Sequence, residues 1–599
     1  MASESKLISG SRLGAIPVSD DQTDFCVWAP TAKSLHVQLI SQTGNKETVA
    51  SVHELSRDKE GYFQGTVDNC PAGTLYRLQI NESQSRPDPR SRFQPHGVHG
   101  PSQIIDPNSY QWSDQNYTGV LKRDLVIYEM HVGSFTDAGT YLSAIDQLDE
   151  LKSFGITAIE VLPLAQCPGK WNWGYDGVNY FAPNHHFGST DELKAFVDAC
   201  HARDIAVIVD VVYNHVGPEG NYLSEFGGYR SKKYGTPWGD AFDFDLAPVR
   251  EFVIDNVLFW IDEFHFDGLR LDAVHYMFDD KNPHILDEVR ARFNEHKQTL
   301  DRTIHLIGEA NIYDPELVGD TSNGNPNYDA VWSDCLMHSI YKAAAPELRL
   351  TNRHYEETDI AETLEHAYVF STPKGIRVTD EIRKQHHPAS DKRYIESLIM
   401  ALQTHDSVGN HPHGKRLHHL TSVEHQMAAV PLILLYPSIP MIFMGEEWAT
   451  EAPFPFFADF EDDRLRKSVD KGRRDEYPHH DWKGSPLPSD PAAFLTSKSK
   501  PDQKKQKVYD WYRELLAFRK SGLNEGWLCV DHFSTFSDLE NGVHQLVYQF
   551  PTGKVHICSR LARTGDPIDL ESSGEVLFNS RNDAQGGKLM AEHCVIWKC

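Results

Sequence analysis

No stretch of this 599-residue sequence is suited to crossing a bilayer, since no run of about 18 uncharged apolar residues occurs. The first residues, Met1-Ala2-Ser3-Glu4-Ser5-Lys6, lack the apolar core of a secretory leader. Nine cysteines are scattered at 26, 70, 167, 200, 335, 529, 558, 594 and 599, with no C-x-x-C pair among them. That spacing excludes the common zinc frameworks and a disulfide scaffold, and it reads as reduced, structural thiols. Together these absences predict a cytoplasmic protein. Positive charge is also short, with 58 Lys+Arg against 86 Asp+Glu and a net charge of −28. Such a balance repels nucleic acid and anionic membranes, so neither is expected as a partner and a neutral substrate is. There is no internal repeat and no long low-complexity tract, and the sequence sets no oligomeric state.

What is present divides the chain. Its length is too great for one core. Residues 1–115 alternate over short runs such as Phe25-Cys26-Val27-Trp28 and Leu35-His36-Val37-Gln38-Leu39-Ile40, cut by Gly, Pro, Asn and Asp, which predicts a β-sandwich. Residues 116–521 alternate strand and helix. Eight apolar runs, at 125–132, 158–164, 205–214, 267–274, 304–310, 328–334, 399–406 and 438–447, read as buried parallel strands. Helical patterns separate them, at 189–204 and at 250–264, where Val253, Val257, Ile261 and Phe264 form a stripe. Eight such units predict an α/β fold, a (β/α)₈ TIM barrel with its site at the C-terminal strand ends. Long loops at 215–248 and 345–397 suit a substrate cleft. A helix at 502–520 closes the barrel, and residues 522–599 return to short strands as a small C-terminal β-domain.

Acids end several of these strands. Gly268-Leu269-Arg270-Leu271-Asp272-Ala273-Val274-His275 puts a cation, a carboxylate and an imidazole at one rim. Glu309 ends the run His305-Leu306-Ile307-Gly308, and Asp406 follows Gln403-Thr404-His405. A single Asp at a strand end is most often a helix cap or turn former. Three acids on three strand ends of one barrel can instead converge on one sugar ring, as glycoside hydrolysis requires.

Four strand-end motifs carry a resemblance: Asp210-Val211-Val212-Tyr213-Asn214-His215, Gly268–His275, Gly308-Glu309-Ala310 and Thr404-His405-Asp406. In order and spacing they resemble the signature regions of the α-amylase superfamily of glycoside hydrolases. The resemblance implies Asp272 as nucleophile, Glu309 as acid/base and Asp406 as the third acid gripping ring hydroxyls. It implies substrate contacts from Asp210, His215, Arg270, His275 and His405, and ring stacking by Tyr175 beside Trp173. Arg270 would keep Asp272 ionised, while Glu309, which must begin protonated, is expected in a less polar wall.

The stretches Arg92–Ser102, Val126–Thr136, Gly217–Leu223, Thr236–Gly239 and Met444–Trp448 resemble the malto-oligosyltrehalose trehalohydrolases within that superfamily. These enzymes cut the α-1,4 bond beside a terminal trehalose. The implied substrate is an α-glucan oligosaccharide, and no cofactor or metal is implied. Two segments, Ala310-Asn311-Ile312-Tyr313 and Ser407-Val408-Gly409-Asn410-His411, depart from the family's usual wording. Trehalose recognition is expected from Glu446, Glu447 and Asp459, with walls from Trp448, Phe456 and Phe457. A glycogen-branching transglycosylase, a general α-glucan hydrolase and a non-catalytic glycan-binding protein are the alternatives. Asn214 is expected to orient its loop rather than bind calcium. His411, His413, His418 and His419 lack the fixed-spacing partners of a metal site.

Overall fold

The computed structural model describes residues 13–599 apart from 45, 311–312, 319–326, 347–354, 370–391, 393, 571–573 and 582–586. Eight parallel strands close into a barrel: β1 Ile127–Met130, β2 Ala158–Val161, β3 Ala206–Val211, β4 Gly268–Leu271, β5 His305–Gly308, β6 Ala330–Ser333, β7 Leu398–Ala401 and β8 Ile439–Phe443. Each overlaps one of the eight apolar runs read from the sequence. Strand neighbours follow chain order, and β8 returns to pair with β1. The barrel interior is packed with small and branched side chains, among them Ile127, Ala158, Ala206, Ile208, Ile307, Ala330 and Ile399. Such filling makes the barrel a core rather than a pore.

Helices cover the outside. In Thr190–His201 the Ser189 side chain accepts from Glu192 N–H, and the Glu192 carboxylate accepts from Ser189 N–H, a reciprocal cap. Leu193, Phe196, Val197 and Cys200 form its buried stripe. The helix Ala247–Phe264 starts with Pro248 in its first turn and ends at His265, whose φ of 54° turns the chain back toward β4. Its predicted stripe of Val253, Val257, Ile261 and Phe264 is buried. The long insertion between β6 and β7 carries the helix Asp359–His366, while much of 345–397 lies outside the described residues. The last helix, Gln506–Glu525, starts four residues later and ends five residues later than the 502–520 run read from the sequence.

The N-terminal region folds as two four-stranded sheets, one around Gln22–Trp28 and one around Leu35–Thr43. The Pro-rich segment that follows, residues 87–95, is held on both sides. Tyr76 donates to buried Asp88 at 2.8 Å, and Arg90 and Arg92 pair with Asp255 and Glu263 of the 247–264 helix at 2.8 and 2.9 Å. Those two ion pairs bolt the sandwich to the barrel wall. The C-terminal region is a five-stranded sheet that begins at Phe533. No helix among the described residues is long and apolar enough to cross a membrane.

Candidate active site

Arg270 organises the C-terminal rim. It lies on β4, paired in register with Asp210 on β3, and is almost completely buried. Its guanidinium rests 4.2 Å over the Trp332 ring of β6, which fixes the plane of the fork. From there Nη1 donates to Asp210 Oδ2 at 2.7 Å and to Asp272 Oδ1 at 2.8 Å, and Nη2 reaches Glu309 Oε2 at 2.9 Å. One cation thus gathers carboxylates from three consecutive strands. Buried charge of this kind is tolerable only when it is paired and hydrogen-bonded.

Each acid has further partners. Asp272 Oδ2 accepts from Asn214 Nδ2 at 2.7 Å, and the same amide nitrogen donates to the Asp272 carbonyl at 3.0 Å. Asn214 therefore does more than orient its own loop. Beyond Asp272 the chain turns sharply at Ala273, whose φ of 39° is unusual for a residue with a Cβ. That turn aims Ala273 N–H at Glu309 Oε2, 2.6 Å away. Burial raises the Asp272 pKa to about 8, with Arg270 opposing and the Glu309 charge adding to it. Burial also raises Glu309, but Arg270 and the Ala273 N–H outweigh it and hold Glu309 below the ordinary value. The expectations of an Asp272 kept ionised by Arg270 and of a protonated Glu309 in a less polar wall are both corrected here: burial beside the Glu309 charge favours a neutral Asp272, while the fork and the Ala273 N–H stabilise the Glu309 carboxylate.

The other residues expected at the site are spread between the fork, the rim and the layer beneath. Tyr175 donates to Asp210 Oδ2 at 2.7 Å and lies 2.9 Å from His405 Nε2, so these three meet beside the fork. Asp406 stands at the rim with about half of its side chain exposed, 3.7 Å from His405 Nε2. His215 is buried and bonds Asn214 through Nδ1, and burial lowers its pKa to about 4, so it is neutral. His275 is exposed on the turn after Asp272. Trp173 belongs beneath the site rather than in it. It is buried, edge-on to His405 at 5.2 Å and stacked on Phe454 at 5.4 Å.

The residues expected to recognise trehalose are corrected by the structure. Glu446 and Glu447 are almost wholly buried behind the rim, where Tyr512 donates to the first and Tyr128 to the second, each at 2.9 Å. Asp459 is buried too, accepting from Lys170 N–H at 2.9 Å and pairing with Arg466 at 3.3 Å, so it clamps two loops together. Trp448 and Phe457 are core. Phe456 alone stays partly open, covered by Arg473 at 4.8 Å. Arg473 comes from the helix Asp463–Glu476 and bonds Asn410, one of the residues that depart from the family wording. The order of residues along the loops could not reveal which of these acids face inward.

Glu129 and Glu160 are not among the residues expected at the site. They are register partners on β1 and β2, and each is an acid inside an otherwise apolar run. That pattern is itself a signal, since a carboxylate on a fully buried strand needs a reason. For cations, His418 and His419 on the helix Leu417–Leu420 meet Glu451 with donor atoms within 4.8 Å of one another. The fold thus supplies a partner that the spacing lacked. Glu451 is also engaged by Lys505. A groove of about 560 Å³ lies between the N-terminal sheet and Tyr222, and it includes none of the carboxylates above.

A closed parallel barrel with an arginine-gathered set of carboxylates at its C-terminal rim defines a glycoside hydrolase of the α-amylase type. The profile described as "Alpha amylase, catalytic domain" matches residues 104–238, and "Carbohydrate-binding module 48 (Isoamylase N-terminal domain)" matches residues 12–108. The chain is 38 % identical over 463 residues to a malto-oligosyltrehalose trehalohydrolase of Saccharolobus solfataricus, covering 77 % of this chain and 79 % of that one. It is 35 % identical over 584 residues to one from Rhizobium sp. (strain M-11), covering 94 % of both. A crystal structure described as a putative alpha amylase from Salmonella typhimurium superposes with a TM-score of 0.86 at 30 % identity, covering 98 % of this chain and 99 % of that one. This chain belongs to the malto-oligosyltrehalose trehalohydrolase family.

Proposed function

We propose that the chain cleaves the α-1,4-glucosidic bond next to the terminal trehalose of a malto-oligosyltrehalose, with retention, and releases trehalose. Family membership supports the substrate. The observation that carries the chemistry is the Arg270 fork holding Asp210, Asp272 and Glu309 together beside Tyr175.

In this reading Asp272 attacks the anomeric carbon while Glu309 protonates the departing glycosidic oxygen. The carbon–oxygen bond breaks, trehalose leaves, and the glucan chain stays esterified to Asp272. Water then attacks the same carbon, giving its proton to Glu309, and the ester bond breaks to restore both groups. The opposed pKa shifts fit a pair that titrates together. An anomeric carbon gaining positive charge beside Asp272 favours its ionised form, which sends the pair's proton to Glu309, where the leaving oxygen needs it. Asp406, half exposed at the rim, suits hydroxyls of the cleaved ring. The scattered cysteines, with no C-x-x-C pair among them, favour a reducing compartment.

Product analysis tests this reading. Malto-oligosyltrehalose should be cut with at least a tenfold higher kcat/KM than the malto-oligosaccharide of equal length, about 1.4 kcal/mol, with free trehalose as product. Equal rates on both would leave a general α-glucan hydrolase. Chain transfer with no gain in reducing ends would make it a branching enzyme.

A further inference from the structure

Glu129 sits near the end of β1 with 1 % of its surface exposed. Its run, Val126-Ile127-Tyr128-Glu129-Met130, is otherwise apolar, and a carboxylate in such a place is costly unless both oxygens are satisfied. Both are satisfied by one residue. Oε1 accepts from His405 Nδ1, and Oε2 accepts from the His405 backbone N–H at 3.0 Å. The two residues belong to segments separated by β8 in the barrel wall, so Glu129 reaches across the interior to hold the segment that follows β7.

Counting protons on His405 defines its state. Tyr175 has one hydroxyl proton and donates it to Asp210 Oδ2, so its oxygen accepts from His405 Nε2. Nδ1 donates to Glu129. Both ring nitrogens are therefore donors, and the ring is an imidazolium. We propose that Glu129 is a positioning residue of the glycosidic reaction: it clamps His405 from within the barrel so that a doubly protonated ring presents Nε2–H to Tyr175 and to the rim at Asp406. The inference rests on the reading of the site given above.

The surroundings agree. Burial by itself would lower the His405 pKa, yet Glu129 and then Asp406 outweigh it and push it up to about 9. The other charged or titratable groups facing the ring are His131 after β1, Glu160 on β2, Tyr175 after β2, Asp210 on β3, Arg270 on β4 and Glu309 after β5. Of these, burial raises Glu160 well above the carboxylate range and lowers His131 to about 4, so neither charge competes with Glu129. Trp173 and Trp332 flank the ring at 5.2 and 6.2 Å, adding apolar walls. A cationic donor binds a sugar hydroxyl or a carboxylate more strongly than a neutral one.

Glu129→Gln tests the assignment because it keeps the size and removes the charge. The expected variant melts within a few degrees of the native enzyme and keeps its KM within about threefold. Its kcat falls tenfold or more, and the alkaline limb of its pH–rate profile moves down by a unit or more, a change that mere loosening of structure does not produce. Native kcat with an unmoved limb would overturn the proposal. If the variant does not fold, ¹⁵N-histidine NMR of the native protein decides, with His405 assigned by comparison with His405→Gln. Both ring nitrogens must be protonated at pH 7.5, and a neutral single tautomer would overturn the proposal. The NMR readout needs no substrate. A native enzyme inactive on every α-glucan would therefore sink the trehalose reading while leaving this measurement to judge Glu129.

Discussion

Asn214 donates through Nδ2 to Asp272 Oδ2 at 2.7 Å, so the loop after β3 holds the carboxylate that follows β4. With Arg270 on its other oxygen, Asp272 is gripped from two strands and its angle toward the cleft is fixed. A hydrogen bond to a charged group is worth about 1.5–3 kcal/mol. Asn214→Ala should therefore lower kcat by roughly 10- to 150-fold with a small change in melting temperature. Steady-state kinetics beside a thermal melt would check it, and an unchanged kcat would remove Asn214 from the site.

The two central acids are separated by choice of substrate. Asp272→Asn should drop turnover on every glucan to below about a hundredth. Glu309→Gln should be as poor on natural glucans yet retain the first, glycosylating step on an α-glucosyl fluoride, whose leaving group needs no proton. Equal loss of that step on both substrates would make Glu309 electrostatic rather than an acid.

Glu446 and Glu447 make a pH prediction about stability. Burial comes first among the causes that raise them to about 8 and about 7, from an ordinary 4.5. Above pH 4.5 the unfolded chain releases these protons while the folded protein keeps them until pH 7–8. Their contribution to stability therefore falls as pH rises through that window and levels off above it. Glu446→Gln removes one of the protons at issue. The melting-temperature loss between pH 5 and pH 8.5 should be smaller in this variant than in the native protein. Parallel curves would contradict a buried, neutral Glu446.

Asp459 is predicted to act on structure rather than on substrate choice. Asp459→Ala removes the acceptor of Lys170 N–H and the partner of Arg466. It should cost about 1–3 kcal/mol of stability and leave the ratio of rates on capped and plain oligosaccharides within about twofold. A loss of preference at native stability would return Asp459 to the site.

Cations offer a last test. His418, His419 and Glu451 are the described group of three with converging donor atoms, and Lys505 already engages the carboxylate. Exhaustive chelation should leave both activity and melting temperature unchanged. A fall in either, restored by one particular divalent ion, would assign that group a structural metal.

The barrel and the acids gathered at its rim were legible from the sequence because both depend on local information. Near-continuous apolar runs such as Ile205–Val209 declare parallel strands whatever their order in space. A strand that changes from apolar to ionisable at Asp210, at Arg270 to Asp272 and before Glu309 marks the rim where a barrel's chemistry lies. Which loop acids face the substrate was decided by tertiary structure alone. Glu446, Glu447 and Asp459 look in sequence like any acids of a cleft loop, and only packing against Tyr512, Tyr128 and the Lys170 backbone turns them inward. The same holds for Glu129, whose partner lies 276 residues away. The proton balance between Asp272 and Glu309 depends on where one arginine fork and one N–H, turned by a left-handed Ala273, come to rest. Electrostatics of that kind acts over a few ångströms of space, and distance along the chain carries no record of it.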